Sequence, residues 1–280
     1  MKKIDYICFL IVILTLVIAG IGIFYSTGGE RFIVENIYGE SVEIFGDGIY
    51  KYNSVLAAGA NKGTDFIMII VALLFAFVTI IRKKAAKYRY LHVGLLSGLL
   101  YYSLCLVFGV TFNELFLIYV LLFSCALFAM IFLLSELINE DNLSEELKKE
   151  SLIGTAIFII ICAFSVLVWL PYIIPALIAG QSFEIYTTEP TFVIDFGIIL
   201  PVFLGCGIGI LRKESLGYKL APIPLTLMPI IGFVVIGQSI FQTAMGIDIP
   251  IKELIGLVIS FIVLGAVAIY LNRRFLKHVK

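Results

Sequence analysis

Charged side chains are scarce in this sequence, and their scarcity excludes an ordinary soluble domain. Only 14% of the residues are Asp, Glu, Lys or Arg, whereas 61% are hydrophobic and the mean hydropathy is +1.09. Soluble domains carry about a quarter charged residues and roughly half apolar ones. The composition therefore indicates that most of the chain lies in lipid.

Cysteine and histidine are also sparse, which leaves little material for a metal centre, a disulfide framework or a catalytic triad. All five cysteines lie in apolar runs, and none pairs with another at metal or redox spacing. His92 and His278 have no partner at zinc or triad spacing, so interfacial anchoring is predicted for both. Nucleotide and hydrolase motifs are missing. The sequence predicts no catalytic residue, cofactor or metal, and no nucleic-acid partner.

Long apolar runs are abundant, and each is about long enough to cross roughly 30 Å of hydrocarbon as a helix. They are Ile4–Tyr25, Phe66–Ile81, Leu91–Phe112, Leu115–Leu134, Leu152–Ala179, Phe192–Leu211, Leu220–Phe241 and Leu254–Leu271. An all-α polytopic membrane protein with eight transmembrane helices, here spans 1 to 8, is predicted. Span 1 is too long for a usual signal peptide and is predicted to be a retained anchor.

The basic residues are distributed unevenly between the two predicted sides of the membrane. With the N-terminus inside, 16 of the 20 Lys and Arg residues lie on the cytoplasmic side. The positive-inside rule then places both termini in the cytoplasm, in the cytoplasmic membrane of a prokaryote. The lipid bilayer is the first predicted partner.

Two stretches of the chain, 130 positions apart, match each other and predict a tandem duplication. Asp65 opens an apolar run that ends at Arg82, and Asp195 opens one that ends at Arg212, with a spacing of 17 in both. The predicted units are a first four-helix repeat at 1–138, a cytoplasmic connector at 139–151 and a second repeat at 152–280. Since each unit crosses the membrane an even number of times, a parallel 4+4 repeat is expected.

The long outer loop at 26–64 contains a predicted β-hairpin. Ser41–Phe45 and Gly48–Tyr52 flank Gly46-Asp47, a dipeptide that suits a tight turn. Two interpretations remain open for this loop, a simple cover over the helices and a ligand-binding loop.

Acidic residues recur at matched positions of the two predicted repeats, near the outer membrane boundary. The candidate ligand-binding residues are Glu43 with Glu184, Asp65 with Asp195, and Glu114 with Glu253. If the pseudo-axis brings them together, their carboxylates suit a small cation or an amine. Asp65, Asp195, Glu114 and Glu253 also fit as caps of outward-facing helix N-termini, and Glu43 and Glu184 as strand-edge or loop anchors.

Proline is missing from the first 170 residues, and this asymmetry predicts a stiff first half and a bent second half. The candidate kink or gating residues are Pro201, Pro222, Pro224 and Pro229. Proline is also simply more frequent in membrane helices than in soluble ones, which is the alternative interpretation.

These features favour a solute or cation permease with an acidic, outward-facing site between the two repeats. One alternative is a non-catalytic sensor, assembly or immunity component that binds a protein partner through its outer loop. Another is a membrane-embedded enzyme that acts on lipid. Since no charged residue is predicted near the centre of any span, a proton-driven pump is disfavoured.

Overall fold

The computed structural model describes residues 3–139, 152–186, 188–251 and 254–279. The predicted connector beyond Asn139 and the candidate acid Glu253 lie outside these ranges. Within them the protein is helical apart from one small two-stranded sheet, which confirms the all-α prediction.

The first half contains four long, unbroken helices. They are α1 (Lys3–Phe24), α2 (Val55–Ile81), α3 (Ala86–Gly109) and α4 (Phe116–Asn139). Ser54 caps α2, because its side chain accepts a hydrogen bond from the Ala57 N–H at 3.2 Å. The stretch before Asp65, which has the small residues of a predicted loop, is therefore already helical.

Regular helix is interrupted repeatedly in the second half. Its helices are α5 (Ile153–Phe164), α6 (Leu170–Ala179), α7 (Pro190–Ile194), α8 (Leu200–Leu211), α9 (Ser215–Leu220), α10 (Pro222–Ala244) and α11 (Ser260–Lys277). A 3₁₀ segment, Ser165–Trp169, joins α5 to α6, and a π-helical segment, Asp195–Ile199, joins α7 to α8. A second π-helical segment, Leu254–Ile259, leads into α11.

Seven helical segments of the described chain are long and apolar enough to cross a membrane. They are α1, α2, α3, α4 and the composite segments Ile153–Ala179, Pro190–Leu211 and Ser215–Ala244. The chain is therefore a multi-pass membrane protein. The predicted span 8 corresponds to Leu254–Ile259 and α11, and the count of eight stays a prediction.

The sheet lies in the outer loop, and its strands differ from the predicted hairpin. Strand β1 (Phe32–Glu35) pairs antiparallel with β2 (Ser41–Ile44), and Phe32 lies opposite Ile44. The predicted second strand instead forms a 3₁₀ turn, Gly48–Tyr50. The physical reason is Asp47, whose carboxylate caps this turn by accepting from the Gly48 N–H at 2.8 Å.

The two halves of the chain pack through α10, which lies against α2 and α3. α2 and α10 approach at backbone distance, because a Cβ added at Gly237 would lie 2.6 Å from the Gly63 carbonyl oxygen. Small residues permit such close approach of membrane helices. Gln238 adds a hydrogen bond across the same contact, with Nε2 2.9 Å from Oγ1 of Thr64. A second contact between the halves joins α3 to α7.

Candidate functional site

Asp65 is the most deeply buried acidic residue described, with no exposed surface. It lies in the middle of α2, and both carboxylate oxygens accept hydrogen bonds from tyrosines. Tyr50 Oη is 2.7 Å from Oδ2, and Tyr102 Oη is 2.5 Å from Oδ1. Gly22 of α1 closes the site from the other side, since any side chain there would overlap Oδ2 of Asp65.

Asp195 lies in a closely similar environment in the second half. It is 8% exposed and begins the π-helical segment between α7 and α8. Tyr101 Oη donates to Oδ1 at 3.0 Å, and Trp169 Nε1 donates to Oδ2 at 2.7 Å. Each of the two matched aspartates is therefore held by two neutral aromatic donors.

One helix links the two aspartates, because the tyrosines that bind them are neighbours in sequence. Tyr101 and Tyr102 of α3 donate to Asp195 and Asp65 respectively. The bond to Asp195 crosses between the halves of the chain. No Lys, Arg or His forms an ion pair with either carboxylate in the part of the chain that the structure describes. We call Asp65, Asp195 and their four donors the aspartate layer.

The capping interpretation is wrong for both aspartates. The N-cap of α2 is Ser54, and the N-cap of α7 is Glu189, which accepts from the Thr191 N–H. Asp65 and Asp195 therefore lie inside continuous helical segments, where the backbone N–H groups already have partners. Neither carboxylate is needed to end a helix.

The other described candidates, Glu43 and Glu114, form ion pairs at the surface. Glu43 lies on the exposed face of β2, with its carboxylate 3.5 Å from Arg31. Glu114 precedes α4 and accepts from Lys51 Nζ at 2.6 Å. This hydrogen bond from Lys51 lowers the pKa of Glu114. The expected convergence of the acids is wrong for these two, since each pairs with a nearby cation instead of joining the aspartates.

Glu184 fastens the second half to the outer loop of the first. Its residue has a left-handed backbone, with φ of 54°, and its carboxylate accepts a short hydrogen bond from Ser54, the cap of α2. Asn36 donates to its carbonyl oxygen at 2.9 Å. Burial raises the pKa of Glu184. Glu43, its match in sequence, lies in a strand, so the two have different local structures.

The candidate prolines lie next to irregular helix. Pro201 is in the first turn of α8, directly after the π-helical segment that contains Asp195. Pro222 and Pro224 open α10, where the chain turns at Ala221 after α9, and Pro229 lies within α10. Their role in gating stays a proposal.

Sequence reasoning missed a buried ion cluster at the opposite end of α2. Arg82 donates to Oδ1 of Asp5 through Nη2 at 2.8 Å and Nε at 3.0 Å, and both residues are buried. Lys83 and Glu136 extend the cluster, at 3.0 and 3.3 Å. Arg212, the sequence match of Arg82, is exposed instead. An aspartate in the first turn of an apolar span was the signal for this cluster.

The predicted interfacial anchoring of His92 is wrong. The side chain has no exposed surface and stacks on the ring of Phe75, with centroids 4.4 Å apart. Its Nε2 lies 2.8 Å from Oγ1 of Thr79. His92 therefore packs within the helix bundle, between α2 and α3.

Among the described residues, no three His, Cys, Asp or Glu side chains come close enough together to hold a metal ion. Comparison of the chain with protein-family models, curated proteins and solved structures finds no match. The argument for function therefore rests on the geometry of the aspartate layer.

Proposed function

We propose that this multi-pass membrane protein is a solute or cation permease whose ligand binds at the aspartate layer. The observation that carries the proposal is the burial of Asp65 and Asp195 within membrane helices without an ion pair among the described residues. Ionisable residues inside a membrane are costly, and they usually mark an ion or substrate path. The proposed site thus moves from the exposed outer acids to two buried ones.

The two aspartates lie at matched depth. Each precedes its arginine, Arg82 or Arg212, by 17 residues. At a rise of 1.5 Å per residue this spacing is roughly 25 Å, compared with about 30 Å of hydrocarbon. If the arginines mark the inner boundary, both carboxylates lie roughly one helical turn inside the outer one. A ligand entering from outside would meet both at one level.

The contact between the halves supports a site in this layer. Tyr101 and Tyr102 project from α3, which packs against helices of both halves. A relative movement of the halves would stretch the bond between Tyr101 and Asp195 and leave Tyr102 and Asp65 together. The complete burial of Asp65 fits a closed state, in which the site is sealed from water on both sides.

Flux measurements test the proposal directly. Purified protein in liposomes is assayed for uptake of Na⁺, K⁺, Ca²⁺, protons and methylammonium. Asp65→Asn and Asp195→Asn are expected to abolish whichever flux the wild-type protein supports. Glu43→Gln is the matched control, since it also neutralises an acid but changes only an exposed ion pair. Equal flux in the wild type and both aspartate variants would overturn the proposed site.

A second candidate function, partner binding through the outer loop, is favoured by the exposed apolar side chains around β1. Ile33 and Ile37 are 72% and 82% exposed. Deletion of the hairpin is a poor test, because Tyr50 would be lost from Asp65. A photo-crosslinking amino acid placed at Ile37 in native membranes is sharper. A specific protein adduct lost in Ile33→Thr would support this function, and no adduct would contradict it.

We also propose the finer organisation expected from the sequence. This comprises the parallel 4+4 repeat, eight spans, cytoplasmic termini and the cytoplasmic membrane of a prokaryote. The packing of α1 with α2 and of α3 with α4 is repeated by α5 with α8 and α10 with α11, which supports the duplication. Accessibility of cysteines introduced at Lys3 and Lys277 to membrane-impermeant reagents tests the orientation.

A further inference from the structure

We propose that the cation bound at Asp65 and Asp195 is a proton, held at each aspartate by a neighbouring aromatic side chain. The inference rests on the proposed function for the identity of the site. It adds the chemical class of the ligand, and it reverses the expectation that a proton-driven mechanism is disfavoured.

The donors around each carboxylate leave poor provision for a metal ion. Hard metal cations take six or more oxygen ligands, supplied by carboxylates, carbonyls and waters. Here each of the four carboxylate oxygens accepts a hydrogen bond from an O–H or N–H group. Those hydrogens occupy the positions that a metal would take. A proton needs only one oxygen and one acceptor, which the tyrosines supply.

Trp169 determines which oxygen of Asp195 takes the proton. An indole N–H can only donate, so Oδ2 must remain an acceptor. The proton therefore binds at Oδ1 and faces the Tyr101 hydroxyl. One O–H bond forms, and the Tyr101 hydroxyl changes from donor to acceptor by rotating its own hydrogen. No other bond is made or broken.

Asp65 has more freedom, because both of its partners are hydroxyl groups. Either Tyr50 or Tyr102 can turn from donor to acceptor, so either oxygen of Asp65 can carry the proton. Both protonation states of each aspartate can thus be fully hydrogen-bonded inside the bundle. A buried carboxyl group that exchanges a proton requires this property.

Charged and titratable groups face the two aspartates from several elements. Lys62 of α2 favours the ionised form of Asp65, whereas Glu189 favours the protonated form of Asp195. The full set around Asp65 is Lys62 of α2, Tyr50 of the 3₁₀ turn, Tyr102 of α3 and Tyr119 of α4. Around Asp195 it is Tyr101 and Cys105 of α3, Trp169 of the 3₁₀ segment and Glu189 at the start of α7.

The first test uses tryptophan fluorescence, since Trp169 is the single tryptophan of the chain and touches Asp195. Emission of the detergent-purified full chain is recorded from about pH 4 to about pH 10, a range that brackets ordinary and strongly raised carboxyl titrations. A reversible change following one proton is expected. It should vanish in Asp195→Asn and persist in Glu43→Gln. An emission that is flat with pH, or that still titrates in Asp195→Asn, would overturn the inference for this aspartate.

The second test uses infrared difference spectroscopy and needs no variant that risks misfolding. Acidification of the wild-type protein should produce carboxylic C=O bands that shift in heavy water. Asp65→Asn and Asp195→Asn should each remove one band. Carboxylates that stay ionised over the whole range, or carboxyl groups that stay protonated, would contradict the proposal.

Failure of this inference can be told apart from failure of the proposed function. Titration of both aspartates without flux of any solute leaves proton binding standing and removes the permease. Flux of a metal cation or methylammonium that depends on the aspartates, without titration, keeps the permease and overturns the proton.

Discussion

Substitution of Gly22 by alanine should strike the aspartate layer without altering any polar residue. A Cβ there would overlap Oδ2 of Asp65 and lie 2.9 Å from Oη of Tyr50. The carboxylate must then move and lose the Tyr50 hydrogen bond. Overpacking costs about 1–3 kcal/mol, and a broken buried hydrogen bond costs a further 1–3 kcal/mol or so. We expect Gly22→Ala to lower the free energy of unfolding by about 4 kcal/mol.

Gly20→Ala is the matched control, because a Cβ at Gly20 meets nothing within 4 Å. The same chemical change, two residues away on α1, should be neutral or stabilising by up to about 1 kcal/mol. Unfolding is followed by circular dichroism in mixed micelles with increasing SDS. Equal stability of the two variants would refute the packing of α1 against Asp65.

A double-mutant cycle identifies the group that Gly22→Ala disturbs. Asp65→Ala removes the carboxylate that the new methyl group would overlap, so the double variant should lose less stability than the sum of the single variants. Residues in contact show coupling of about 0.5–3 kcal/mol in such cycles. Simple additivity would place the damage elsewhere.

Three further predictions concern charges away from the aspartate layer. Asp5→Asn leaves Arg82 buried with a weakened partner and should cost about 3–5 kcal/mol in the SDS unfolding assay, whereas the surface variant Glu214→Gln should change stability by less than about 1 kcal/mol; equal effects would contradict the buried cluster. Asp47 is opposed by desolvation, but hydrogen bonds from Thr27, Ser26 and the Gly48 N–H lower its pKa to about 2. Its stabilisation of the outer loop is therefore complete above the unfolded pKa near 4 and is lost as pH falls through about 2, so limited proteolysis of the loop should rise over that window and lose its pH dependence in Asp47→Asn. Burial raises the pKa of Glu184, so its contact with Ser54 is favoured below the unfolded pKa and weakens as pH rises through the folded one. Hydrogen exchange at the start of α2 should accelerate with pH beyond the intrinsic rate, and Glu184→Gln should remove that excess.

The sequence predicted the helical, membrane-spanning character well, because long apolar runs permit little else in lipid. It also placed Asp65 and Asp195 at matched depth. It could not supply their partners, since Tyr50 comes from an outer turn and Trp169 from another span. Hydrogen-bond partners distant in sequence are set by helix packing, which a single sequence does not encode as a local pattern. The adjacent tyrosines of α3 were the one visible signal.

Two errors have specific physical causes. The predicted hairpin followed the turn preference of Gly46-Asp47, but the Asp47 carboxylate accepts from the Thr27 and Gly28 N–H groups and so holds the chain in a different turn. The predicted capping by Asp65 assumed that α2 begins where the apolar run begins. The preceding small residues are helical because Gly63 packs directly on Gly237 of α10. In both cases a tertiary contact overrode the local preference.

The matched aspartates have kept their depth and acquired different surroundings. Asp65 lies in an unbroken helix between two hydroxyl groups, either of which can reverse its hydrogen bond. Asp195 begins a π-helical segment followed by Pro201, and Trp169 fixes one of its oxygens as an acceptor. A proton can therefore bind Asp65 at two positions and Asp195 at one. The less constrained carboxyl group is sealed by Gly22, and the more constrained one adjoins irregular helix that can move. A functional asymmetry between the halves should therefore follow the helix breaks, and exchange with water should begin at Asp195.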